Sequence, residues 1–319
     1  MRAIPLLTLL LGGWFVVPAH ADEAQDWLTR LGQAEQQQSF HGTFVYERNG
    51  SFSTHDIWHR VQDGKVRERL LQLDGSAQEV VRIDGHTQCV SGTLIAGLGD
   101  SPNSAARALD PQKLKNWYDL AVIGKSRVAG RAAVIVSLTP RDQHRYGFEL
   151  HLDKETGLPL KSLLINDKGQ LLERFQFTQL DTAEVPSDSD LQAGPDCKAV
   201  ALETDKATAL KTADAWHSDW LPPGFELSSS SSRKDPETKT QVSSLMYDDG
   251  LARFSVFLEP LNGATVTDTR TQLGPTVAVS RRLTTPQGEM MVTVVGEIPI
   301  GTAERIALSM RTTATTAKQ

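Results

Sequence analysis

IWHRVQDGKVRERLLQLDGSAQEVVRIDGH, Ile57 to His86, decides the fold. Runs rich in β-branched residues and leucine are separated by Asp63-Gly64, Asp74-Gly75 and Asp84-Gly85. Such dipeptides supply the positive φ that tight hairpin turns require, so consecutive strands here are antiparallel neighbours. Parallel pairing would need crossovers of a dozen or more residues, for which there is no room. Working outward, similar short segments run from Phe40 to Leu180: Gly42–Tyr46, Leu120–Lys125, Ala132–Leu138, Tyr146–Leu152, Leu160–Ile165 and Leu171–Leu180, with Lys168-Gly169 as a further turn. This half reads as about nine strands in one large antiparallel sheet.

A helix is expected before the sheet at Asp26–Gln38, where Trp27, Leu28 and Leu31 share one side. Ser101–Tyr118 is the only candidate crossover, with Asp110-Pro111 as an N-cap and N1 pair. EVPSDSDLQAGP (Glu184–Pro195) is linker chemistry. The expected division is a signal peptide at 1–21, a first domain at 22–183, a linker at 184–200 and a smaller α+β domain at 201–319. In the second half, strands are expected at Gln241–Tyr247, Arg253–Leu258, Val277–Leu283 and Met290–Val295, a short helix at Leu202–Trp216, and a closing helix at Thr302–Met310 with Thr302 as its N-cap. The fold class is α+β, mainly β.

The N-terminus carries an address. Met1-Arg2, the apolar run Leu6–Val17 and Ala19-His20-Ala21 form a secretory signal with cleavage expected after Ala21. The apolar run is too short for a bilayer, which takes roughly 20 helical residues. Cys89 and Cys197 would then meet an oxidising compartment, where one bridge between them or two separate thiols are both open readings. A net charge of −6 makes nucleic acid an improbable partner.

The catalytic and metal signatures in the chain have plainer readings. His55 and His59 have HxxxH spacing, but in a strand they lie about 13 Å apart, too far to share a metal. Neither GxSxG nor GxxxxGK[ST] occurs, Gly97-Leu98-Gly99 lacks the rest of a dinucleotide motif, and Asp248-Asp249 precedes Gly250 as a turn does. No enzyme activity, cofactor or metal is expected. Arg141, Arg145 and Tyr146 form a charged loop that suits either local ion pairing or the docking of a partner segment. The aromatic and proline-rich Trp216–Phe225 stretch suits either an interface or the seal of the second domain.

Several runs resemble the MucB/RseB family: SFHGTFVYERNG (Ser39–Gly50), ERLLQLDGSAQEVVR (Glu68–Arg82), VAGRAAVIVSLTPRDQHRYGFELHLDKETGLPLKS (Val128–Ser162), FQFTQL (Phe175–Leu180), LPPGFEL (Leu221–Leu227), YDDGLARFSVFLEP (Tyr247–Pro260) and VTVVGEIP (Val292–Pro299). The resemblance implies a first domain like the lipoprotein carriers LolA and LolB, a half-barrel with helices over an apolar concave face. It further implies a periplasmic regulator that binds the periplasmic segment of a MucA- or RseA-type anti-sigma factor. That segment is shielded from site-1 proteolysis, which represses the envelope-stress sigma factor until lipid or lipopolysaccharide fills the hollow. A lipid or lipoprotein carrier is the alternative; the second domain favours regulation.

Period-two alternation nominates Phe44, Tyr46, Leu71, Leu73, Val81, Ile83, Phe148 and Leu150 for the hollow, with the complementary set as the other parity. Arg141, Arg145, Tyr146, Trp220, Phe225, Tyr247 and Phe254 are the candidate anti-sigma contacts, the 184–195 stretch is the expected hinge, and a homodimer is compatible with the pattern.

Overall fold

In the computed structural model, residues 19–76, 78–92, 109–200, 216–234, 240–286 and 288–313 are described. Gly97-Leu98-Gly99, the first eight residues of Ser101–Tyr118, the predicted helix at Leu202–Trp216 up to its last residue, and the signal segment before Ala19 lie outside them.

The first unit is an eleven-stranded sheet in which every paired neighbour is antiparallel. Two meanders meet at its centre. One is β1 (Phe40–Arg48), β2 (Ser51–Gln62), β3 (Lys65–Gln72), β4 (Glu79–Ile83) and β5 (His86–Ser91). The other is β6 (Tyr118–Val128), β7 (Arg131–Pro140), β8 (Gly147–Asp153), β9 (Pro159–Ile165) and β10 (Leu171–Asp181), with β10 paired to β1. Two of the three Asp-Gly turns behave as their chemistry requires: Asp63 (φ 52°) and Gly64 (φ 72°) join β2 to β3, and Asp84 (φ 50°) and Gly85 (φ 75°) join β4 to β5, whereas at Asp74-Gly75 only Gly75 (φ 72°) takes positive φ, in a longer connection from β3 to β4. Asn49 (φ 52°) and Gly50 (φ 74°) form one more such turn, between β1 and β2.

Register shifts at Thr43/Phe44, Val81/Arg82, Val122/Gly124, His151/Leu152 and Leu171/Glu173 add local twist, as bulges do, and the sheet curls until β6 and β10 touch. Across the concave face runs α1 (Ala19–Gln37), which starts earlier than its predicted Asp26. Its Ala24, Leu28 and Leu31 bury against Leu120, Val136, Leu138, Leu150 and Leu152, and its Ala34 joins Phe40, Phe44, Leu70 and Phe177. Gly42 is required here, because a Cβ would come within 2.6 Å of the Phe177 ring. The turn helix α2 (Pro111–Leu114) is capped as expected, Asp110 accepting from the amides of Gln112 (2.9 Å) and Lys113 (3.2 Å).

The 184–197 stretch is not a hinge; it is a strap laid on the outside of the sheet. Leu191 is buried, the Gly194 amide donates to Glu79 at 2.9 Å, Arg69 donates to the Asp190 carbonyl at 3.0 Å, and Cys197 is bonded to Cys89. The chain then adds β11 (Lys198–Ala199) to the free edge of β5.

The second unit is a six-stranded antiparallel sheet formed by β13 (Glu226–Lys234), β14 (Gln241–Asp248), β15 (Arg253–Pro260), β16 (Thr269–Leu273), β17 (Thr276–Thr285) and β18 (Gly288–Gly296). Helix α3 (Ile300–Ser309) seals one face, burying Ala303, Ile306 and Ala307 on Val256, Val279, Val292 and Val294. Beside it, β12 (Trp216–Ser218) pairs with β19 (Met310–Thr312). One strand is not expected from the sequence and one helix start differs: Ser228–Ser232 lies in the edge strand β13, held by its ladder to β14 rather than by strand propensity. The closing helix begins at Ile300 with Pro299 in the cap position, and Thr302, buried inside its first turn, meets His144 of the first unit instead.

Candidate ligand face and domain joint

The concave face is set by pairing. Phe44 stands opposite Phe177 of β10, Tyr46 opposite Phe175, and Ile57 opposite Leu70, which in turn faces Val80. Phe44, Phe175 and Phe177 form one aromatic group, with centroids 4.6 to 5.9 Å apart. Phe148 and Leu150 lie on the same face of the second meander, with Leu138 and Val136. Four of the eight nominated hollow residues therefore share a face: Phe44, Tyr46, Phe148 and Leu150.

The other four do not, and this is a correction. Leu71 pairs with Glu79, Val81 with Arg69 and Ile83 with Arg67, so these side chains project to the convex face; Leu73, just past β3, is 49% exposed. Leu70 and Val80, at 5% and 4% exposure, take their place inside. Both strands carry apolar residues at adjacent positions (Leu70-Leu71 and Val80-Val81), so hydrophobicity alone fits either parity.

Polar groups are seated among these rings. His55 stacks on Phe44 at 5.1 Å and His59 on Phe40 at 4.8 Å. The histidines are held separately: His55 Nε2 lies 2.8 Å from Ser53 Oγ, while His59 Nε2 donates to the Glu35 carbonyl at 2.9 Å and its Nδ1 lies 3.2 Å from Glu68. Burial holds His55 below the ordinary imidazole range and pushes the Glu35 carboxyl up. Tyr46 donates to Glu173 at 2.6 Å, and burial, followed by the charge of Glu173, drives its phenol above the usual range.

The seven candidate partner contacts are placed differently from a presented surface. Arg145 is a wholly buried plug between the two units. Its guanidinium donates to Asp249 at 2.6 Å, to Asp142 at 3.0 Å and to the Pro223 carbonyl at 2.5 Å, and lies 5.1 to 5.6 Å from the rings of Trp117, Tyr118 and Phe225. Asp249 also accepts from the amides of Leu251 (2.9 Å) and Ala252 (2.7 Å); burial pushes its carboxyl up, against the pull of those amides and of Arg145. Tyr146 donates to the Ile298 carbonyl at 3.1 Å. Phe225, Tyr247 and Phe254 stack in the core of the second unit, and Trp220 sits between His144 and Arg305. Arg141 alone of the seven is exposed, paired with Asp119 at 2.9 Å.

Gly224 belongs to this joint. At φ +85° its missing side chain admits Trp117, which a Cβ would meet at 2.1 Å. A second contact crosses further along: Arg48 reaches Glu297 at 3.5 Å and bonds Thr276, while its Nε lies 3.9 Å from Glu173. Trp117, Asp142 and His144 are joint residues that the sequence does not single out, Pro223 falls in the stretch read as interface or seal, and Asp249 is read only as a turn residue; loops far apart in the chain bring them together.

With this geometry in place, residues 23–195 match the description "MucB/RseB N-terminal domain" and residues 210–311 "MucB/RseB C-terminal domain". The chain belongs to the MucB/RseB family. It is 63% identical over 313 residues to the sigma factor AlgU regulatory protein MucB of Pseudomonas aeruginosa, covering 98% of each chain. It is 27% identical over 329 residues to the sigma-E factor regulatory protein RseB of Haemophilus influenzae, covering 98% of this chain and 99% of that one. Among solved structures, the complex of P. aeruginosa MucA and MucB matches with TM-score 0.81 and 62% identity, over 92% of this chain and all of that one. A crystal structure of MucB matches with TM-score 0.70 and 59% identity, over 92% and 98%.

Proposed function

We propose that this member of the MucB/RseB family is a periplasmic, non-enzymatic regulator that grips the periplasmic segment of a MucA-type anti-sigma factor. In that reading it shields the segment from site-1 proteolysis and releases it when a lipid or lipopolysaccharide fragment occupies the concave face. The observation that carries the reading is the 63% identity, over 98% of both chains, to a protein named as a sigma factor regulator, joined to the match with a MucA/MucB complex. The secretory signal at the N-terminus supports the compartment.

A second observation supports a switch. The match to the complex (TM-score 0.81) exceeds the match to MucB (0.70) at similar identities, 62% and 59%. A ligand shifts such an equilibrium only by preferring one arrangement. The lipid-facing set in this reading is Phe44, Tyr46, Leu70, Val80, Phe148, Leu150, Phe175 and Phe177. Arg141 is the one nominated partner contact already at the surface; the others would serve by holding the joint.

The test incubates the purified mature protein with the anti-sigma periplasmic segment and site-1 protease. Protection that is reversed by lipid is the expected result; cleavage at the unprotected rate overturns the reading. Size-exclusion chromatography of the same samples distinguishes a monomer from the homodimer that the sequence pattern is compatible with.

A further inference from the structure

Two arginines stand side by side on the convex face at the β2–β3 hairpin. Arg60 and Arg67 are direct cross-strand partners, an arrangement of like charges that is unfavourable unless an anion intervenes. The strap provides one carboxylate for both: Asp188 Oδ1 lies 2.6 Å from Arg60 and 3.3 Å from Arg67. Arg60 also donates to the Pro186 carbonyl at 3.2 Å. Asp188 is a weak hold, because its side chain is 83% exposed while that of Arg60 is 11% exposed. The Nε of each arginine is buried without a hydrogen-bond partner among the described residues. Between them the hairpin opens a pocket of about 300 Å³, completed by Lys65, Gln62 and Asp63.

Three cations thus converge on one pocket, against Asp63 in the turn and one shared, solvent-washed carboxylate. We propose that Arg60, Arg67 and Lys65 bind a phosphate-class dianion, inorganic phosphate or a phosphomonoester headgroup, in competition with Asp188. Planar guanidinium forks suit tetrahedral oxyanions, and a doubly charged ligand offsets the facing arginines better than one carboxylate does. Occupancy would detach the strap at Asp188, upstream of its fixed points at Leu191, Gly194 and Cys197. The site lies on the opposite face of the sheet from the lipid-facing set and depends on neither that reading nor the anti-sigma one.

The test titrates inorganic phosphate into the mature protein by calorimetry at constant ionic strength, with chloride as control. In parallel, vesicles of phosphatidylcholine with and without phosphatidate are used for co-sedimentation. Saturable phosphate binding is expected, about tenfold weaker in Arg67→Gln through loss of a charge-assisted contact and about threefold tighter in Asp188→Asn through loss of the competitor. The two variants move in opposite directions, which misfolding would not produce. Phosphate binding without phosphatidate-dependent sedimentation assigns the soluble source; Arg67-dependent sedimentation assigns the headgroup. Binding in neither arm, or binding that Arg67→Gln and Asp188→Asn leave unchanged, overturns the proposal.

Discussion

Replacing Arg145 by methionine tests whether the two units are joined as described. The substitution keeps an unbranched stem of similar reach and removes a guanidinium that has no solvent exposure. Asp249, equally enclosed, would lose its 2.6 Å partner, and the Pro223 carbonyl would lose its donor. Removing one member of a buried pair strands the other charge, which costs about 3–5 kcal/mol. The donors that remain on Asp249, the Leu251 and Ala252 amides and the Tyr118 hydroxyl at 3.4 Å, offset part of this, so a value near 3 kcal/mol is expected. Urea unfolding followed by tryptophan fluorescence is the assay, because Trp117 and Trp220 flank the joint. The variant should unfold in two transitions where the parent shows one, and adding Asp249→Asn should recover part of the loss. A loss under about 1 kcal/mol, with a single unchanged transition, would refute the argument that this pair couples the units.

Further expectations concern the sheet, the bridge and acidity. Leu70→Ala should cost about 2–5 kcal/mol and Leu73→Ala under about 0.5 kcal/mol by denaturant titration; the reverse order would overturn the assigned face. The double variant Cys89→Ser and Cys197→Ser should lose at most about 4.7 kcal/mol by the chain-entropy model for a loop near 100 residues, read as a lower thermal midpoint that matches the parent in reductant. Glu297 has its carboxyl pushed up to about 7, first by burial and then by Glu173, against the pull of Arg48. A raised carboxyl stabilises the fold below its ordinary pKa, and that contribution fades as pH rises through about 7. With its side chain 43% exposed the effect is small, and its sign is the test. Unfolding midpoints of Glu297→Gln should therefore exceed those of the parent increasingly from pH 5.5 to 8; a gap that shrinks over that range contradicts the assignment.

Most of the strand order in the first unit was legible, because Asp63-Gly64 and Asp84-Gly85 force adjacent antiparallel pairs. The face assignment failed for a reason the sequence could have repaired. Asn49-Gly50 fixes Arg48 opposite Ser51, and Asp63-Gly64 fixes Gln62 opposite Lys65. Counting inward from those two turns sets Phe44 against His55 and His55 against Gln72, which puts Leu70, not Leu71, on the face of Phe44. Following hydrophobicity strand by strand, without carrying register through the turns, loses that information. The joint was not legible. Arg145 reads as a loop residue open to local ion pairing or docking, because of its two aspartates Asp142 is three positions away but Asp249 is 104. The strap was misread as a hinge because its polar composition says nothing of the arginines and the cysteine waiting beneath it.

The bond between Cys89 and Cys197 also encloses the whole second meander in a covalent ring, since 108 positions separate its ends and β6 to β10 lie between them. A protease that cuts an exposed turn inside that ring, such as Asp167–Gly169, severs the backbone yet releases no fragment, and the paired strands stay in register around the nick. A single cut inside the ring therefore leaves the first unit in one covalent piece, and both the cut and reduction of the Cys89–Cys197 bond are needed to free a fragment.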